Sequence, residues 1–89
     1  SIDNKYEDLK IRLMHQVISF FQRNKIKIIN TIVDPLLDIL INNPIYIKDN
    51  NILKFINDKL LSHEIANANI DQLRHMTILK VNIMLKFIE

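Results

Sequence analysis

Apolar residues recur along this chain at steps of three and four, almost from one end to the other. From Asp3 to Asn24 the positions Tyr6, Leu9, Leu13, Val17 and Phe20 follow that spacing, and Met14, Ile18 and Phe21 widen the stripe. Lys5, Asp8, Arg12, Gln16 and Ser19 fall on the other side. This spacing predicts an amphipathic helix that turns its stripe to a core. Asp3 suits the N-cap, and Glu7 and Asp8 follow where the helix dipole favours anions. Arg23 and Lys25 stand at the opposite end, where it favours cations.

The second segment, Lys25 to Asn43, is apolar on most sides: Ile28, Ile29, Ile32, Val33, Leu36, Leu37, Ile39, Leu40 and Ile41. A helix of that kind is central, or pressed between two neighbours. Pro35 complicates it, because an interior proline removes a hydrogen bond and costs about 3 kcal/mol. Two arrangements fit: one kinked helix over 25–42, or a short helix to Val33 and a new one capped by Asp34 with Pro35 in its first turn. A buried strand over 26–33 is the lesser alternative, since β-branched residues favour it but no turn residues frame a hairpin partner.

Asn42-Asn43-Pro44 ends the second segment. Ile45, Tyr46 and Ile47 then fold back onto the core from a loop. Asp49 or Asn50 caps a third helix over 51–62, striped by Ile52, Leu53, Phe55, Ile56, Leu60 and Leu61. His63 to Asn69 reads as a polar connector. Asn69 and Gln72 have the spacing of a capping box, with Asn in place of Ser or Thr. The fourth helix, 70–88, carries Ile70, Leu73, Thr77, Val81, Met84 and Ile88 on one face and Met76, Leu79, Ile83 and Phe87 on the adjacent one.

The expected fold is all-α: four helices, or five if the second segment breaks, forming a small bundle or stacked hairpins within one domain, 1–89. The predicted core is Leu13, Val17, Phe20, Ile29, Val33, Leu37, Leu40, Phe55, Ile56, Leu60, Leu73, Val81 and Met84. The two helix pairs resemble a fragment of an α-solenoid of the armadillo or HEAT kind, in layout alone and without signature positions. The first residue is not Met and the amphipathic pattern runs almost to Glu89, as in a piece excised from a longer chain.

Composition changes this picture in two ways. There is no glycine in the 89 residues, so the φ > 0 corners of tight hairpins and phosphate loops are hard to build. That disfavours β-meanders, P-loops and dinucleotide fingerprints. Ile and Asn together make up about a third of the chain, against their ordinary usage. Their codons are AT-rich, so part of the bias reflects an AT-rich genome. Hydrophobic residues nevertheless reach 48%, in a chain short enough to bury only about 60–65% of its unfolded surface. A surplus apolar face is the consequence. Absent cysteine excludes disulfides and thiolate chemistry. No run approaches the roughly 18 apolar residues of a membrane span, and no signal peptide opens the chain, so an intracellular place, cytoplasmic or nuclear, is the expectation.

Candidate chemistry is thin. His63-Glu64 begins an H-E-x-x-H motif, but position 67 is Asn, so the second zinc ligand is missing. Asp34 and Asp38 share a helix face, as capping and first-turn acids do. Neither Ser19 nor Ser62 has a His and Asp pattern beside it. No enzyme, metal or cofactor is expected. The net charge of +2 is mild. The one basic run, Arg23, Lys25 and Lys27, is the alternative candidate, a helical nucleic-acid contact. The leading expectation is a protein-interaction module that binds a partner, or itself as an oligomer. Its partner face is Met76, Leu79, Lys80, Ile83, Lys86 and Phe87, with Arg74 on the rim.

Overall fold

The computed structural model describes residues 2–62 and 68–88 and is all-α, with no strand among them. Helix α1 spans Ile2–Arg23, α2 Asn30–Asn42, a 3-10 helix Pro44–Lys48, α3 Asn50–Phe55 and α4 Ile70–Ile88. A π-turn, Ile56–Leu60, continues α3. The strand alternative for 26–33 is overturned: helix begins at Asn30, after a turn and an extended linker. The connector around His63-Glu64 and Asn67 lies outside the described residues.

Without glycine, α1 ends on a lysine. The amide of Ile26 donates to the Phe21 carbonyl at 3.0 Å and that of Lys25 to Gln22 at 3.3 Å. This is the double bond of a Schellman cap, which needs a left-handed residue between helix and exit. Lys25 takes that place at φ 50°, a conformation that costs a residue with a Cβ about 1–2 kcal/mol.

Helix α2 is one helix with Pro35 inside it, so Asp34 caps nothing and the two-helix arrangement is overturned. Pro35 lies in the second turn, and the Thr31 carbonyl it leaves without an amide partner belongs to an exposed residue. At an exposed residue water can replace the missing donor, which lowers the cost of the proline. Asn43 closes this helix by donating Nδ2 to the Ile39 carbonyl at 2.7 Å. The stretch after it does fold back, as the 3-10 helix, with Tyr46 and Ile47 buried. Asp49 caps α3 by accepting from the Ile52 amide at 3.0 Å. The capping box of α4 forms in both directions: Gln72 donates its amide to Asn69 Oδ1 at 2.8 Å, and Asn69 donates its own to Gln72 Oε1 at 3.2 Å.

The core runs through the middle of the chain. Val33, Leu36, Leu37 and Leu40 from α2 meet Tyr46, Ile47, Ile52, Leu53, Phe55, Ile56 and Leu60. Helix α1 packs on α3 and the 3-10 helix, and α4 packs on α2 and the same 3-10 helix. Each outer helix closes the core with a short row, Met14 and Ile18 from α1 and Met76, Leu79 and Ile83 from α4. The result is a slab of 44 × 34 × 18 Å.

The faces of the outer helices correct the predicted core. Leu13, Val17 and Phe20 of α1, Ile29 of the linker, and Leu73, Val81 and Met84 of α4 are all exposed. The row that α1 turns inward is Ile11, Met14, Ile18 and Phe21, about 120° round the helix from the expected stripe. Both outer helices carry apolar residues on two faces, and periodicity alone does not say which one a neighbour covers.

Candidate interaction surface

Every turn of α4 places an apolar side chain on its outer side. Ile70, Leu73, Thr77, Ile78, Val81, Met84, Leu85 and Ile88 form this face, turned about 150° from the buried row. Ile70 is 74% exposed, Met84 66% and Ile88 78%. Arg74 is the one charged residue within the stripe, and it pairs with Asp71 of its own helix at 3.4 Å. Thr77, at the centre, donates its hydroxyl to the Leu73 carbonyl at 2.8 Å. Its one donor is therefore satisfied within the helix, which lowers the cost of covering this position with an apolar surface.

The residues first assigned to a partner face divide. Met76, Leu79 and Ile83 are core, with Leu79 at 0% exposure. Lys86 is half-buried: its ammonium donates to the Ile47 carbonyl at 2.7 Å and lies 5.4 Å from the Phe87 ring centre. It therefore ties α4 to the 3-10 helix. Lys80 and Phe87 are exposed and flank the outer stripe.

Helix α1 carries the second uncovered stripe. Tyr6, Leu9, Leu13, Val17 and Phe20 are 40–60% exposed and fall within an arc of about 80°. Two polar ties hold this helix so that the stripe stays outside. Lys10 donates to Asn43 Oδ1 at 2.8 Å, and its ammonium lies 4.9 Å from the Tyr6 ring centre. His15 donates Nε2 to Asp49 Oδ2 at 2.7 Å. Burial pushes the Asp49 carboxyl up, but the bond from His15 and the amide of Ile52 outweigh it and hold the carboxyl below its ordinary value. One carboxylate thus caps α3 and anchors α1.

The basic run is exposed: Arg23 in the last turn of α1, Lys25 in the left-handed cap and Lys27 in the linker. Lys25 borders an open groove of about 590 Å³ whose far wall carries Asp58 and Lys59 of the π-turn. Lys54 joins Lys59 in the adjoining depression. Sequence reading missed Lys54 and Lys59 as neighbours of this run, because the two groups lie some thirty residues apart and only the packing of α1 on α3 joins them. Among the described residues, no three His, Asp or Glu side chains are grouped to hold a metal ion, and no helix is long and apolar enough to cross a membrane. Comparisons with family models, curated proteins and solved structures find no match to this chain.

Proposed function

We propose that this chain is a non-enzymatic protein-interaction module that docks an apolar helical surface through the outer face of α4. The observation that supports this reading is the apolar stripe running the whole length of a helix whose other side is already satisfied by the core. Large uncovered apolar patches on soluble proteins mark contact surfaces, whereas single exposed apolar residues do not. A helix laid along such a stripe would be read by anchors at steps of three, four and seven.

Charge substitution on the stripe tests the reading. Val81→Glu is expected to leave helicity and cooperative melting intact while weakening binding of a hydrophobic dye, the remainder being due to the stripe on α1. A wild-type chain that ignores the dye, or a Val81→Glu chain that unfolds, would overturn it.

The groove favours a second reading. Lys25 and Lys59 line the groove and Lys54 and Lys59 the adjoining depression, with Asp58 the carboxylate common to both and Arg23 and Lys27 near Lys25 in the chain, and phosphates of a nucleic acid are a counter-charge for these cations. Affinity for a random duplex is then expected to fall steeply with salt and to vanish when Arg23, Lys25 and Lys27 are neutralised together. Weak binding indifferent to those residues eliminates this reading.

A further inference from the structure

The occupant of the α4 stripe follows from the surplus area of the chain and from the charge and register of the stripe. We infer that it is a second copy of this chain, paired antiparallel about a two-fold axis near the middle of α4. This rests on the docking reading above and names the partner.

Area comes first. The chain exposes 6398 Å², whereas a compact monomer of 10.6 kDa is expected to expose about 5,500 Å². The surplus, about 900 Å², belongs to the whole chain, the uncovered stripes of α1 and α4 together, and is enough for one interface of the roughly 800 Å² that each partner buries. Charge comes second. The stripe holds one charge, Arg74, in an exposed pair with Asp71 at 3.4 Å, and so gives a charged partner little to read. An apolar face of this kind is best matched by another like it.

Register is the condition that self-pairing must also meet. A two-fold interface must be self-complementary, each residue meeting a counterpart whose own copy meets it in return. The stripe on α4 has this property. Laid against itself in the antiparallel sense, Ile70 meets Ile88, Leu73 meets Met84, and Thr77 meets Val81, each pair occurring twice. Arg74 falls opposite Leu85, where its aliphatic stem covers apolar surface and its head stays at the rim with Asp71. Thr77, whose hydroxyl donor is already bonded to Leu73, lies at the centre. Lys80 lies on one flank of the stripe, close to the axis, and so meets its own copy. This one unfavourable contact is relieved by salt, so the pair tightens as salt rises, the opposite of nucleic-acid binding.

The natural absence of cysteine makes the register directly measurable. Light scattering of the wild-type chain is expected to show a mass that doubles between low and high micromolar concentration and then stops. A mixture of Leu73→Cys and Met84→Cys chains, treated with a short bismaleimide, is expected to crosslink as a mixed pair. Neither chain alone should do so, because like positions lie about 15–18 Å apart along the axis. Same-site crosslinks, or growth beyond two chains, would overturn the antiparallel two-fold pair. A chain that stays monomeric at every concentration yet binds the dye at the Val81 stripe would overturn self-pairing and leave the docking surface standing. A monomer that ignores the dye would overturn both.

Discussion

The middle of this molecule and its two outer helices use the same apolar residues in opposite ways. From Val33 to Leu60 the apolar side chains are mostly spent inward, so Leu37, Ile52, Ile56 and Leu60 are fully buried. Helices α1 and α4 also carry many apolar residues, but each gives one row to the core and leaves another outside. The difference comes from neighbours. The 3-10 helix touches α1, α2, α3 and α4, so a side chain in this region has a partner in most directions. An outer helix has partners on one side only. Stability therefore resides in the centre, and the uncovered apolar surface resides at the margins.

The strongest way to break this comparison is a charge placed on each side of one helix. Leu79→Glu puts an unpaired carboxylate in the core and is expected to unfold the chain, since such burial costs several kcal/mol. Val81→Glu, two residues along the same helix, is expected to leave the melting temperature nearly unchanged at dilutions where the chain is monomeric. Circular dichroism melts read both.

Truncation sharpens the contrast at smaller scale. Leu37→Ala is expected to lose about 2–5 kcal/mol in urea unfolding, whereas Leu13→Ala on the outer stripe of α1 should fall within about 0.5 kcal/mol of wild type.

The link between centre and margin is the next test. Asp49→Ala removes the α3 cap and the anchor of His15 together and is expected to cost about 1–2 kcal/mol near neutral pH. Because the folded state holds this carboxyl below its ordinary value, its contribution is fully present above the ordinary carboxylate range. It is lost as pH falls through the lower folded value. The difference between wild type and Asp49→Asn in urea midpoint should therefore shrink on acidification, not grow.

The smallest effect is a gain. Lys25→Gly relieves the left-handed strain at the end of α1 and is expected to stabilise the chain by about 1 kcal/mol, visible as a rise in melting temperature. The apolar surface of both outer helices should be untouched by it.

The centre of the fold was legible in the sequence, and the margins were not. Val33, Leu37, Leu40, Phe55, Ile56 and Leu60 were expected in the core and lie there. In that crowded region almost any large apolar residue finds cover, so pattern suffices. Local chemistry was equally legible where it is self-contained. The Asn69–Gln72 box and the Asp49 cap each close within four residues. On α1 and α4 the moment of the sequence points to a face, but which face goes inward is decided elsewhere. Lys10 to Asn43, His15 to Asp49 and Lys86 to the Ile47 carbonyl join positions more than thirty residues apart. No spacing along either helix announces them. The same is true of Lys54 and Lys59, which reach the basic run only through tertiary packing. Pro35 left two arrangements open, one helix through it or a break before it, and the structure has the first, with the proline exposed in the second turn of α2.

The most direct test of the account is the reactivity of single cysteines along α4, introduced one at a time into the cysteine-free chain at monomeric dilution. Thiol labelling is expected to be fast at positions 73, 81 and 84 and slow at 76, 79 and 83. The reverse order, with 79 and 83 open and 81 and 84 protected, would contradict the division between a satisfied inner face and an available outer one.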